Sequence, residues 1–65
     1  MDHAQVLKMI EQQGYLTKEG LLLRFPESSA ELLDTALVFL VSRNRIRKVK
    51  IAKNGQTETL YYVPG

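Results

Sequence analysis

Sixty-five residues with no cysteine, 45% apolar and 25% charged, form a chain near the lower size limit for unaided folding. Neither disulfides nor a thiolate metal site can staple it, so the core must hold it alone. The formal charge of +2 conceals an asymmetry: residues 1–42 carry three basic side chains against six acidic ones, whereas residues 43–65 carry six basic against Glu58 alone. That balance excludes a disordered polyelectrolyte and predicts a basic face able to meet phosphate or an acidic protein surface.

Asp2, His3 and Lys8 interrupt any apolar run at the start, and the longest uninterrupted one, Ala36 to Val41, is six residues against the roughly 20 of a bilayer span. A cytoplasmic protein without a membrane partner is expected.

The first predicted helix runs from about Asp2 to Gln13. Asp2 is a suitable N-cap, Val6, Leu7 and Ile10 share one arc, and Gly14 supplies the positive φ that ends many helices. Tyr15 and Leu16 follow as a short extended piece. Thr17 caps a second, short helix that includes Gly20, Leu21, Leu22 and Leu23 and ends by Pro26, with Phe25 as a core plug.

The third helix is predicted over Ser29–Arg43. Ser28 and Glu31 have capping-box spacing. Leu33 centres a buried face with Ala30, Ala36, Leu37, Leu40 and Val41. Leu32 and Phe39 lie on one flank, and Glu31, Asp34, Thr35, Val38 and Ser42 form the opposite, exposed face. Asn44 is the expected left-handed stop.

Asn54-Gly55 signals a type I′ hairpin, which pairs Lys53 with Gln56, Val49 with Leu60 and Arg47 with Tyr62. Alternation then collects Val49, Ile51, Leu60 and Tyr62 on one side, expected to close the core. Lys48, Lys50, Thr57, Thr59 and Tyr61 collect on the other, expected to face outward as a phosphate-contact surface.

Three helices and a hairpin make an α+β chain with the element order of a winged helix: a three-helix bundle with a C-terminal two-stranded wing. The chain resembles the winged helix-turn-helix superfamily along nearly its whole length. Leu16-Thr17 followed by Leu21, Leu22 and Phe25 is similar to that group's second-helix pattern. Leu33, Leu37 and Leu40, then Ile46, are similar to its third helix and first wing strand. Within the superfamily it looks most like the very small FeoC-type regulators of ferrous-iron transport, through its size, its Glu11-Gln12-Gln13-Gly14 helix end and a wing leading straight to the C-terminus. Many of those proteins carry a cysteine cluster in the wing. This chain has none, so no cofactor is carried over.

The resemblance implies a transcription-regulator-like protein binding duplex DNA. The candidate backbone contacts are Arg43, Arg45, Arg47, Lys48, Lys50, Lys53 and Tyr61. The third helix would read bases through Glu31, Asp34, Thr35, Val38 and Ser42, a face without the arginine or lysine that most often pairs with guanine. The alternative is a protein-interaction module, docking a partner or a second copy through that acidic face or the Leu32/Phe39 flank. One histidine and no cysteine leave too few groups for a nucleophile–base pair or a zinc site, so neither an enzyme nor a metalloprotein is expected.

Overall fold

The computed structural model describes residues 1–65, in the order α1 (His3–Gln13), β1 (Tyr15–Thr17), α2 (Lys18–Arg24), α3 (Ala30–Ser42), β2 (Arg47–Lys53) and β3 (Gln56–Tyr62). Local chemistry accounts for most boundaries. The Asp2 carboxylate accepts from the Gln5 N–H while the Gln5 side chain accepts from the Asp2 N–H, a reciprocal cap on α1. Gly14, at φ +87°, turns the chain out of α1 and donates its N–H to the Ile10 carbonyl. Thr17 Oγ1 accepts from the Gly20 N–H to open α2. Gly20 sits where a Cβ would come 3.2 Å from Leu16 Cδ2, so the glycine permits the close approach of α2 to β1.

Ser29, rather than Ser28, caps α3: its hydroxyl accepts from the Leu32 N–H, and no return bond from Glu31 completes a box. Of two adjacent serines, the one in extended conformation directly before Ala30 takes the role. Asn44 stops the far end at φ +58°, and its N–H donates to the Val41 carbonyl.

The buried core consists of Val6 and Ile10 from α1, Leu16 from β1, Leu21 from α2, Leu33, Ala36, Leu37 and Leu40 from α3, and Ile46. Ala30, expected inside, is exposed, because it lies in the first turn of α3. Phe25 is partly buried against the core, as a plug at the end of α2.

The expected two-stranded wing is part of a three-stranded antiparallel sheet in the order β1-β3-β2. The hairpin register is the expected one, from Arg47 opposite Tyr62 to Lys53 opposite Gln56, around a tip with Asn54 and Gly55 both at positive φ. The short extended piece after α1 supplies the third strand, with Leu16 opposite Tyr61.

That pairing reverses the expected facing of the hairpin. Leu16 and Ile46 are buried, and Tyr61 and Val63 pack against the core. The helix-facing side therefore runs through Leu16, Ile46, Lys48, Lys50, Thr59, Tyr61 and Val63. By alternation, Tyr15, Arg47, Val49, Ile51, Glu58, Leu60 and Tyr62 lie on the outer side. Val49, expected to close the core, is 43% exposed.

Leu37 is 2% exposed at the centre of the core. Its replacement by alanine should cost about 2–5 kcal/mol. Since a domain of this size holds only about 3–5 kcal/mol, Leu37→Ala should be largely unfolded at room temperature by circular dichroism. A cooperative denaturation curve close to wild type would show that the α3 seam is not central.

Candidate nucleic-acid interface

The exposed face of α3 and the inner face of the hairpin meet at a cleft of about 270 Å³, lined by Asp34, Leu37, Val38, Val41 and Ser42 from α3 and by Lys48 and Tyr61 from the sheet. Lys48 stands opposite Tyr61 and Lys50 opposite Thr59, so both ammonium groups belong to the side of the hairpin that faces α3. Glu58, the only acidic residue of the hairpin, stands opposite Ile51 on the other side. Of the hairpin residues, Lys48 and Tyr61 thus meet the polar helix face directly.

Tyr61 does not point outward as expected. It is partly buried against the core, beside the ion pair of Lys18 and Asp34. Lys18 Nζ lies 2.9 Å from Asp34 Oδ1 and donates to Oδ2, joining the start of α2 to α3. The side chains are 33% and 52% exposed, so the pair adds little to stability. Its effect on the interface is larger, because it places a positive charge against the carboxylate closest to the cleft. Asp34, expected as a free acid on the helix face, is engaged within the chain.

Other members of that face are also engaged. The Thr35 hydroxyl donates to the Glu31 carbonyl and the Ser42 hydroxyl to the Phe39 carbonyl. Their remaining capacity is as acceptors. Glu31 is exposed, and Val38, 68% exposed, is the most open apolar group on α3. The helix therefore presents methyl groups and acceptors with few free donors.

The remaining basic candidates are dispersed. The Arg43 guanidinium lies 4.9 Å from the centre of the Phe39 ring, whose other neighbour is His3 at 4.4 Å between centroids. Arg43 and Arg45 border a second groove, with His3, Ala4, Leu7, Phe39 and Leu40. Arg47 and Lys53 belong to the outer side of the hairpin, opposite Tyr62 and Gln56. Of the seven candidate contacts, Lys48 and Lys50 alone share the α3 side with free charges.

Comparison with known protein families, with characterised proteins and with solved structures finds no match. No helix is long and apolar enough to cross a membrane.

The hydrogen bond that Lys18 donates to Asp34 raises its ammonium above the ordinary 10.5, opposed by desolvation and aided by the charge of that carboxylate. Burial first, and then the Asp34 carboxylate, raise the Tyr61 phenol above its ordinary 10.0. Both groups hold their protons more tightly folded than unfolded, so the stability they add is present below pH 10 and is lost as pH rises through the folded values. In a spectrophotometric titration one phenolate should appear later than in free tyrosine, and Tyr61→Phe should remove that late component. A late component that persists in Tyr61→Phe would displace Tyr61 from this position.

Proposed function

We propose that this chain is a small winged-helix nucleic-acid-binding protein of transcriptional-regulator type, which lays α3 toward a groove of duplex DNA and holds the backbone through Lys48 and Lys50. The observation that carries this reading is the shared side of α3 and these two lysines. Three helices with a three-stranded antiparallel sheet are compatible with the winged-helix arrangement, in which a helix and a strand pair approach the duplex together. Pairing of Asp34 with Lys18 further reduces the repulsion that an acidic helix face would exert on phosphate.

The mechanism is mainly electrostatic. Lys48 and Lys50 displace condensed counterions from the backbone, and the released ions drive association. Because α3 offers Val38, Thr35 and Ser42 rather than arginine or lysine, base discrimination rests on methyl contacts and acceptors and is weak. The resemblance to FeoC-type regulators supports the same class of role, with no cofactor.

A protein partner is the second reading. Leu32 is 61% exposed and Val38 68% exposed on α3, with Phe39 beside them, more apolar surface than a helix needs for phosphate contact. In that case Glu31, Leu32 and Val38 would make the contact, and Lys48 and Lys50 would be dispensable.

Fluorescence anisotropy with a generic duplex at rising salt separates the two. The nucleic-acid reading predicts micromolar binding at low salt, with a log–log slope that falls by about 0.9 for each of Lys48→Ala and Lys50→Ala. Affinity should fall alike for all duplexes, while Glu31→Gln should leave it unchanged or raise it. Absence of salt-dependent binding by the wild-type chain would overturn this function and leave the protein-partner reading.

A further inference from the structure

The outer side of the sheet has no partner within the chain, yet it is not a typical solvent face. Its residues fall into rows set by the strand register. Tyr15, Tyr62 and Arg47 form the first row across β1, β3 and β2; Thr17, Leu60 and Val49 form the second; Glu58 and Ile51 form the third. Five of these eight side chains are large and apolar or aromatic, and Tyr15 is 62% exposed. An apolar patch of this kind on a small chain marks a contact surface. Its charges are Arg47 in the first row, on β2, Glu58 in the third row, on β3, and Lys53 beyond the third row at the hairpin tip, opposite Gln56.

We propose that this face binds a second copy of the same chain, sheet against sheet with the strands antiparallel. The charge placement selects both the occupant and the orientation. A two-fold axis lying between the sheets, midway between Arg47 and Glu58, brings each Arg47 over Glu58 of the other copy. The same axis stacks the Leu60 and Val49 rows on each other, giving an apolar centre flanked by two opposite-charge pairs. An axis parallel to the strands instead keeps like rows together, leaving Glu58 near Glu58 and Arg47 without an acid.

Pairing through the free edge of β2 is the competing arrangement between copies. Arg47, Lys48, Lys50 and Lys53 line that strand without an acid, and such an edge repels its own copy. Contact through the face avoids this repulsion. Since the face is only two to three strands wide, it is small beside the roughly 800 Å² per partner of a standard interface, and the dimer is weak. It leaves Lys48 and Lys50 free on the opposite side, so it stands whether or not the chain binds duplex DNA.

Sedimentation equilibrium on the full chain between low and high micromolar concentration tests the proposal. The wild-type mass should rise from monomer toward dimer. Arg47→Glu and Glu58→Arg should each weaken association by about tenfold or more, since each replaces two attractive pairs by two repulsive ones. The double variant, Arg47→Glu with Glu58→Arg, should restore it, because the swapped charges again meet their opposites. Circular dichroism on every variant confirms that it is folded. A wild-type chain that stays monomeric at the highest concentration overturns the proposal, as does a dimer that both single variants leave intact or that the double variant fails to recover.

Discussion

The pairing of Leu16 with Tyr61 decides which side of the hairpin meets the helices. A two-stranded hairpin alone has two faces of similar apolar content: Ile46, Tyr61 and Val63 on one, Val49, Ile51, Leu60 and Tyr62 on the other. A three-residue strand breaks that symmetry. Leu16 is carried into the core by the chain between Gly14 and the Thr17 cap of α2, and its neighbour across the ladder must then face the same way. Lys48 follows Tyr61 inward and Val49 follows Tyr62 outward. The electrostatics of the α3 cleft and the apolar outer face are both consequences of this single register.

The interface illustrates how a modest ion pair acts through its position. Lys18 and Asp34 are both partly exposed, and their mutual attraction is screened. Asp34 nevertheless sits at the cleft wall, where an unpaired carboxylate would oppose a polyanion. Bringing Lys18 to it from α2 offsets that carboxylate beside Lys48, while Glu19 stays unpaired in the neighbouring cleft with Thr59 and Tyr61. The outer side has Arg47 and Glu58 at opposite ends of an apolar strip, with Lys53 beyond it at the tip. The two faces of one sheet thus carry different chemistry.

Elements governed by local chemistry were legible in the amino-acid sequence. The Asp2, Thr17 and Asn44 boundaries, the Asn54-Gly55 tip, the hairpin register and the buried Leu33, Leu37 and Leu40 follow from capping, turn and periodicity rules acting over a few residues. The facing of the sheet was not legible, because strand alternation fixes which residues share a side but not which side is buried. That choice depends on β1 meeting β3 across more than forty residues of chain, as Leu16 lies against Tyr61. The Lys18–Asp34 pair escaped for the same reason: it spans sixteen positions and joins two helices whose relative placement is a tertiary outcome. Ser28 and Ser29 mark a smaller ambiguity, where two neighbouring residues satisfy the same capping rule.

Tyr61 and Lys48 turn toward α3 while Tyr62 and Leu60 turn away. Nuclear Overhauser contacts in the folded chain report on this facing. Cross-peaks are expected from the Tyr61 ring to methyl groups of Leu37 or Val41, and none from Leu60 or Val49 to the buried leucines of α3. Cross-peaks from Val49 and Leu60 to Leu37 and Leu40, with Tyr61 showing none, would contradict this facing.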